Sequence, residues 1–218
     1  MAKIPVEDEY KLLWPTAPGT PARRLAAIRP LVEQAGLSLR VAGPPALQVD
    51  VYFDDEAGSL LAAGMSFRLR KTPGRRLITL KMGHTSPPHA HGRFQRQEAE
   101  AEVSPAEART LLRGGEITAA PFFLLRQVAP SVGPLHPVAR VTNRRQVAIL
   151  ENAARGQAEL ALDRVTYEVD GMRRGPEIEV EIENHRLGRQ ELRALGRRLE
   201  KELGRTPSRG SKYERAMR

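Results

Sequence analysis

The stretch Glu7-Asp8-Glu9-Tyr10-Lys11, near the amino terminus, sets a pattern that later parts of the sequence repeat. In a β-strand, Glu7, Glu9 and Lys11 would lie on one face, because successive side chains point to opposite sides. Most strands instead alternate apolar with polar residues, so that one face can be buried. An ionised face is typical either of a solvated edge strand or of a strand that lines a charged cavity.

Four more segments show charged residues on one predicted strand face and apolar or small residues on the other. They are residues 66–70, 77–81, 96–102 and 177–183. Five such strands indicate one closed surface rather than five solvated edges. We therefore predict an α+β fold built on an eight-stranded antiparallel β-barrel. Its charged faces would line a lumen, and its apolar faces would point outward beneath helices.

Length and composition narrow the class of protein. A chain of 218 residues is long enough for one domain with its own core, and we expect that domain to span 1–218. The absence of cysteine excludes a disulfide framework, thiolate metal sites and a cysteine nucleophile. No apolar run is long enough to cross a bilayer, and no signal peptide is apparent. We expect a cytoplasmic protein with no membrane partner.

The formal net charge of +9 favours polyanionic ligands such as polyphosphate, nucleotides or nucleic acid. Aromatic residues make up only 5% of the chain, which argues against stacking platforms for single-stranded nucleic acid. Trp14, Phe122 and Phe123 are expected in the core rather than against a base. The sequence therefore favours small polyphosphates over nucleic acid, and it predicts no nucleobase pocket.

The spacing of apolar residues predicts helices over residues 22–34 and 189–203. Ser104, followed by Pro105 and Glu107, has the residues of a capping box, so a short helix should start there. We expect residues 158–163 and 164–169 to form a hairpin, and residues 205–218 to form a tail.

The predicted lumen would contain nearly equal numbers of acids and bases. Its acids are Glu7, Glu9, Glu98, Glu100, Asp163, Glu177, Glu179 and Glu181, and its bases are Lys11, Arg68, Arg70, Lys81, Arg96, Arg140, Arg144 and Lys212. Carboxylates suit a hard cation such as Mg²⁺ or Mn²⁺, and guanidinium and ammonium groups suit phosphate oxygens. No phosphate-binding glycine loop or dinucleotide fingerprint competes with this interpretation. The combination indicates metal-assisted displacement at phosphorus.

The charged segments also resemble, in order, the motifs of a known family. Glu7-x-Glu9-x-Lys11 is similar to the ExExK signature of the CYTH superfamily, the triphosphate tunnel metalloenzymes. Further similar motifs are Tyr52-Phe53-Asp54, Phe67-Arg68-Leu69-Arg70, Thr79-Leu80-Lys81, Arg96-x-Glu98-x-Glu100, Thr142-Asn143-Arg144, Leu162-Asp163, Glu177-x-Glu179-x-Glu181 and Ser211-Lys212-Tyr213. Each motif alone is weak, but this number in this order is specific and covers nearly the whole chain.

The resemblance implies a tunnel that binds a triphosphate together with Mg²⁺ or Mn²⁺. It implies metal ligands at Glu7, Glu9, Glu177, Glu179 and Glu181, and catalytic roles for Lys11, Glu98, Glu100 and Asp163. It further implies phosphate binding by Lys11, Arg68, Arg70, Lys81, Arg96, Arg140, Arg144 and Lys212. Many bacterial relatives carry a helical CHAD domain after this one. Because this sequence ends at Arg218, we expect either a stand-alone member of the family or a shortened chain.

Several alternatives stay open at this point. Inorganic triphosphate is the favoured substrate, because nothing in the sequence indicates a pocket for an organic group. Alternatives are a thiamine or nucleoside triphosphatase, a class IV-type adenylate cyclase, and a non-catalytic polyphosphate- or nucleotide-binding module. Either a monomer or a homodimer is compatible with the sequence. The register near residues 140–145 is also open: Arg144 and Arg145 point to opposite faces, so only one of them can lie in the lumen. Glu102 and Glu183 are expected at the rim or in solvent.

Overall fold

The computed structural model of the chain describes residues 4–83, 93–203, 206–208 and 210–218. Its strands and helices alternate irregularly along the chain. In order they are β1 (Val6–Leu13), α1 (Pro21–Glu33), β2 (Ser38–Val41), β3 (Ala46–Asp54), α2 (Ser59–Ala62), β4 (Ser66–Thr72), β5 (Arg75–Met82), β6 (Arg93–Glu102), α3 (Pro105–Leu112), α4 (Ala120–Val128), β7 (His136–Glu151), β8 (Gln157–Val169), β9 (Met172–Asn184), α5 (Arg189–Glu202), β10 (Thr206–Pro207) and α6 (Lys212–Ala216).

Eight of these strands form a closed antiparallel barrel in the order β1-β6-β5-β4-β3-β7-β8-β9, with β9 returning to pair with β1. The short strand β2 adds to one end of β7, and β10 adds to the end of β1. The prediction of an α+β fold around an eight-stranded antiparallel barrel is confirmed. Closure leaves each barrel strand with a partner on both sides, so the backbone groups of the tunnel wall are satisfied without edge strands.

The apolar faces of the barrel strands point outward and are buried beneath helices. On one side, Tyr10 and Leu12 of β1 pack with Ile28 of α1 and Leu195 of α5. On the other side, the outer faces of β4 and β5 pack against α3 and α4, where the rings of Phe67 and Phe122 lie 6.0 Å apart. This arrangement confirms the predicted inversion, in which the apolar side faces outward and the charged side faces the lumen.

The helix limits predicted from local sequence agree with the observed limits for α1, α3 and α5. Ser104 and Glu107 form the predicted capping box at the start of α3, and α1 and α5 begin and end within one residue of their expected limits. Trp14 and Phe122 are buried as expected, but Phe123 is 53% exposed and is not part of the core. No helix within the described ranges is long and apolar enough to cross a membrane.

The predicted hairpin at residues 158–169 is wrong. Those residues form part of one long strand, β8, which pairs without a break with β7 from Arg140↔Glu168 to Glu151↔Gln157. The turns lie at its two ends, where Arg155 and Asp170 adopt positive φ angles of 61° and 50°. Pairing along both edges therefore extends the strand through the point at which the local sequence suggested a turn.

The prediction of a tail after residue 205 is also wrong, because α6 is inserted into one end of the barrel. Ser211 caps this helix, and Tyr213 is only 1% exposed. The Tyr213 ring stacks on Tyr52 with centroids 5.0 Å apart, and its hydroxyl donates to the Asp54 carboxylate at 2.7 Å. A helix this short has too few residues to show apolar periodicity, so its burial depends on tertiary contacts alone.

Candidate active site

The lumen contains a cavity of about 1060 Å³ that is lined mainly by charged side chains. They come from six barrel strands and from α6. The charged lining residues on these elements are Glu7, Glu9, Lys11, Arg68, Arg70, Lys81, Arg96, Glu98, Glu100, Arg145, Glu181, Glu183 and Lys212. Eleven of these thirteen residues were predicted from the sequence as site residues; Arg145 and Glu183 were not. Barrel closure thus brings together side chains as far apart in the sequence as Glu7 and Lys212.

The ammonium of Lys11 lies between two carboxylates. Its Nζ is 2.9 Å from Glu9 Oε1 and 3.2 Å from Glu181 Oε1, because β1 and β9 pair Lys11 opposite Glu181. Burial alone would lower the pKa of Lys11, but the carboxylates of Glu181 and Glu9 overcome it and raise the pKa. The ammonium therefore stays charged, and it holds two predicted metal ligands close to each other.

A second ion cluster joins β1, β5 and β6. Lys81 Nζ lies 2.5 Å from Glu7 Oε2 and 3.1 Å from Glu98 Oε2, and the register pairs Lys81 with Glu98. Arg96 Nη2 donates to Glu9 Oε1 at 3.2 Å. Glu100 accepts a hydrogen bond from Thr79 Oγ1 at 3.1 Å and is itself exposed. The predicted acids and bases of these three strands thus face the same cavity.

Arg68 and Arg70 of β4 share Asp50, a lumen residue that sequence reasoning missed. Arg70 donates to both Asp50 oxygens at 2.7 Å, and Arg68 Nη1 lies 3.5 Å from Asp50 Oδ2. Although burial opposes ionisation, Arg70 and Arg68 lower the pKa of Asp50 to about 2. Asp50 alternates with Tyr52 on the inner face of β3, a pattern that the sequence analysis could have used.

Arg68 keeps donor capacity after pairing with Asp50. Its Nε is buried and has no hydrogen-bond partner within the described part of the chain. Buried guanidinium donors are seldom left unpaired, because losing a hydrogen bond to water costs free energy. An anionic ligand with oxygen atoms in the lumen would satisfy this donor.

Lys212 of α6 is bound to three buried carboxylates. Asp163, Glu179 and Glu181 present oxygens that all lie within 4.8 Å of one another, a grouping that could hold a metal ion. Lys212 Nζ lies 2.9 Å from Asp163 and 2.5 Å from each glutamate. Burial opposes the charge of Lys212, but the three carboxylates raise its pKa well above the usual value.

Arg145 and Arg215 complete the pairing of this triad. Arg145 Nε donates to Asp163 at 2.8 Å, and its Nη2 also contacts Glu181. Arg215 of α6 contacts Glu179 and donates to the Tyr167 hydroxyl at 3.0 Å. Neither arginine was among the predicted site residues. The Ser211-Lys212-Tyr213 motif pointed to this helix, but nothing local to Arg215 distinguished it from a surface arginine.

Three predicted site residues lie elsewhere. Arg140 and Arg144 are exposed on the outer face of β7, so the assumed register must be corrected by one residue: Arg145, opposite Asp163, faces the lumen. A shift of one residue matters because successive side chains of a strand lie on opposite faces, so it moves a side chain from the lumen to the outside of the barrel. Glu177 lies beside α6, where it accepts from Tyr167 Oη at 2.6 Å, and its side chain is 38% exposed.

Two glutamates expected at the rim differ from each other. Glu102 pairs with Arg75 on the surface at 3.2 Å, as expected, with more than half of each side chain exposed. Glu183 instead lines the cavity. Burial, followed by the neighbouring carboxylate of Glu7, raises the pKa of Glu183 to about 7. The carboxyl group of Glu183 therefore binds its proton more tightly than that of an exposed glutamate.

The donor set fits a divalent metal such as Mg²⁺ or Mn²⁺, since it offers only hard carboxylate oxygens and several of them converge. The same cavity holds guanidinium and ammonium groups that could bind phosphate oxygens. A lumen with both kinds of charge can accept a polyphosphate and its counter-cation together. The fold and its lining thus define a class of protein: a closed β-barrel with a charged lumen, whose acids could bind a metal and whose bases could bind a polyanion.

The model of the CYTH domain matches residues 28–216, and the chain belongs to this family. No curated protein matches the sequence. Among solved structures, a Hippeastrum protein provisionally named an adenylyl cyclase, and described with a dominant triphosphatase activity, is 19% identical over 97% of this chain and 95% of its own, with a TM-score of 0.62.

Two further structures support the same fold. A Bacillus halodurans protein, provisionally named an adenylate cyclase, is 16% identical over 95% of each chain, with a TM-score of 0.60. A Pyrococcus horikoshii OT3 protein is 19% identical over 96% of this chain and 98% of its own, with a TM-score of 0.51. At these identities the likeness establishes a shared barrel and leaves the substrate to be argued from the site.

Proposed function

We propose that the protein is a metal-dependent triphosphatase that cleaves the terminal phosphoanhydride of a triphosphate inside the barrel. Water would attack the terminal phosphorus, the bond to the bridging oxygen would break, and orthophosphate would leave. The observation that carries this proposal is the interleaving of acids and bases in one cavity, above all Lys11 between Glu9 and Glu181. Membership of the CYTH family and the activity described for the Hippeastrum structure support it.

The cations of the lumen are proposed to bind the phosphate oxygens. Arg68 is the strongest candidate, because its buried Nε has no partner within the described residues. Lys11, Arg70, Lys81, Arg96 and Lys212 would assist from neighbouring positions, and Arg145 takes the place that sequence analysis gave to Arg144. Such groups would stabilise the negative charge that spreads over the oxygens in the transition state.

Glu7, Glu9 and Glu181 are proposed to hold the divalent cation, which when bound supplies charge neutralisation and lowers the pKa of a bound water. Glu179 and Asp163 could join them only if Lys212 moved, because Lys212 occupies the centre of their triad. Glu177 is proposed to orient Arg215 rather than to bind metal. Glu98 and Glu100, predicted as catalytic, keep that assignment as a proposal.

The direct test is phosphate release from inorganic triphosphate, ATP and thiamine triphosphate, each with Mg²⁺ or Mn²⁺. We expect metal-dependent release that falls by about 100-fold or more in Glu9→Gln, by loss of a metal-binding charge. Glu102→Gln is the matched control, since Glu102 is a glutamate on the surface. Absence of phosphate release from all three substrates would refute the proposal. Cyclic AMP and pyrophosphate appearing from ATP would indicate the cyclase instead.

Inorganic triphosphate is the smallest triphosphate whose negative charges the cations of this lining could compensate. The single-domain organisation over residues 1–218, the monomeric or dimeric state and the cytoplasmic location stay predictions. Binding of tripolyphosphate or nucleotide without turnover would instead favour the non-catalytic module considered in the sequence analysis.

A further inference from the structure

One stretch of the outer surface of the barrel is open to solvent and carries almost only basic side chains. It lies between the two outer cores, where β5, β4, β3, β7 and β8 run side by side. We name it the basic wall, and its cations are Lys71, Arg76, Arg140, Arg144 and Arg164. Four of the five are exposed, and Arg76 is half-buried. None of them lines the cavity, so the proposed reaction does not account for them.

Strand register places these five cations on one face of the barrel. The outward positions of β7 near its middle are the even-numbered ones, so Arg140 and Arg144 both point outward. Arg144 lies directly opposite Arg164 of β8, and Lys71 of β4 lies opposite Arg76 of β5. Strands are about 4.8 Å apart and rise about 3.4 Å per residue, so the cations spread over about 20 Å by 14 Å.

The basic wall contains repulsion that the described residues do not relieve. Like charges directly opposite each other in an antiparallel pair are destabilising, yet Arg144 faces Arg164 and neither forms an ion pair with a described residue. Arg24 of α1 is buried nearby, and its burial, followed by the charge of Arg164, lowers its pKa. Arg24 donates to the backbone carbonyls of Pro18 and Gly19 and not to a carboxylate. A bound anion would relieve this repulsion.

Acids are scarce on this surface. At the outward positions of β3, β4, β7 and β8, the described residues include one acid, Glu168, which lies in register between Arg140 and Arg173. Helix α5 is also rich in arginine, but three glutamates are interspersed among its fourteen residues. The basic wall therefore has the stronger charge complementarity to an extended polyanion.

The side chains of the basic wall favour a phosphate backbone as its ligand. Exposed guanidinium groups bind phosphate oxygens in bidentate fashion, and the hydroxyl of Thr142, between Arg140 and Arg144, is a common type of backbone contact. The aromatic residues at outward positions of β3, β4, β7 and β8 are Phe53 and Phe67, and both are fully buried in an outer core. The surface thus offers neither a stacking platform for single-stranded bases nor the aromatic anchor of a protein interface.

We propose that the basic wall binds the phosphate backbone of duplex nucleic acid without reading its sequence. A duplex carries about one charge per 1.7 Å of its axis, so a span of about 20 Å presents enough phosphates for all five cations. The low aromatic content of the chain argues against single strands only, because the bases of a duplex are stacked on one another. The inference goes beyond the proposed triphosphatase and requires no turnover, since the basic wall lies outside the lumen.

The test is fluorescence anisotropy with duplexes of about 20 base pairs, one of DNA and one of RNA, at several salt concentrations. The duplexes have 5′-hydroxyl ends, so no terminal phosphate can enter the lumen. If about four phosphates are contacted, log Kd for DNA should rise with log salt concentration with a slope of about 3.6. Arg144→Gln combined with Arg164→Gln should weaken binding about 10- to 100-fold at about 50 mM salt and lower the slope by about 2.

The matched control is Arg193→Gln combined with Arg197→Gln, which removes two exposed arginines from α5 and so changes the net charge equally. It should weaken binding less than about threefold. An equal loss in both double variants would show that net charge alone attracts the duplex, and it would overturn the proposal. Unchanged binding in the Arg144 and Arg164 double variant would also overturn it.

A conservative pair of substitutions guards against a folding defect. Arg144→Lys combined with Arg164→Lys keeps both charges, so the salt slope should stay within about 0.5 of the wild-type value. The glutamine pair should unfold at or above the wild-type temperature, because it removes the repulsion across the strands. Selective loss in the glutamine pair with either duplex supports the proposal, and the tighter duplex identifies the ligand. Failure of the wild type to bind either duplex, including binding to anionic phospholipid vesicles alone, would refute it.

Discussion

The half of the lumen next to α6 differs from the half farther from that helix. Beside α6, Asp163, Glu179 and Glu181 are paired with cations of the same chain, of which Lys212 touches all three. In the distal half, Glu7 and Glu98 share Lys81, while Glu183 makes no ion pair with any described residue.

The difference shows that one barrel can hold acids that are paired with a cation of the chain and an acid that is not. Buried carboxylates cost free energy unless a cation compensates them. In the α6 half, the protein supplies that cation itself, whereas in the distal half Glu183 has no ion-pair partner among the described residues, and its burial raises its pKa to about 7. Four substitutions test this contrast, and their expected effects decrease in the order given.

The largest effect is expected from removing the internal cation. Lys212→Met would leave three buried carboxylates without their shared ammonium, which should lower the free energy of unfolding by about 3–5 kcal/mol. Millimolar Mg²⁺ or Mn²⁺ should restore part of that loss, because the triad could then bind a metal. Urea unfolding with and without metal measures both effects.

Lys201→Met, on the exposed side of α5, is the control and should change the free energy of unfolding by less than about 0.5 kcal/mol. If Lys212→Met were as stable as the wild type without metal, Lys212 could not be the cation that compensates the buried carboxylates of the α6 half.

The next effect concerns the two neighbouring arginines of β7. Arg145→Gln removes a cation that contacts Asp163 and Glu181 in the lumen, so we expect triphosphatase activity to fall about 10- to 100-fold. Arg144→Gln changes an exposed residue and should alter activity less than about twofold. Initial-rate kinetics on both proteins measures the contrast, and a larger loss in Arg144→Gln would show that the inner face had been assigned to the wrong residue.

A smaller effect is expected in acid. Because Arg70 and Arg68 lower the pKa of Asp50 from 3.8 to about 2, the folded state binds the proton less tightly than the unfolded state. The stabilisation is therefore fully present above pH 4 and is lost as the pH falls towards 2. In Asp50→Asn, the free energy of unfolding should be lower by about 1–3 kcal/mol at pH 6, with a weaker decline in acid. Chemical unfolding across this pH range would contradict the prediction if both proteins declined in parallel.

The smallest effect is expected outside the lumen. Glu102 and Arg75 form an exposed pair at 3.2 Å, in which water and salt screen the attraction. Glu102→Gln should change the free energy of unfolding by less than about 1 kcal/mol, and 0.5 M salt should remove most of that difference. Thermal unfolding at low and high salt measures it, and a loss comparable to that in Lys212→Met would remove the contrast between surface and lumen.

Much of the tunnel could be predicted from alternation alone. Glu9, Lys11, Lys81 and Glu181 were assigned to one charged surface, because a strand with ions on every second position must place them on the same side. Their lumen location follows once the opposite face is apolar enough to bury beneath helices. Asp50 lies on the inner face of β3 by the same rule, but its neighbours on that face, Gln48 and Tyr52, carry no charge, so no run of ions marked it.

The residues that escaped prediction depend on pairing between distant segments. Arg145 rather than Arg144 faces inward because β7 and β8 align Arg145 with Asp163, and no local feature distinguishes the two side chains. The role of Arg215 depends on the insertion of α6 beside Tyr167 and Glu179.

Side-chain alternation is a property of each strand alone, so it was enough to predict the barrel, its inverted faces and the types of charge inside it from the sequence. The register of β7, the place of α6 in the barrel and the pairing of Lys212 with Asp163, Glu179 and Glu181 depend instead on tertiary contacts. These features depend on distances between residues far apart in the chain. The energy of a buried charge is set by such distances, since it varies steeply with the nearest opposite charge.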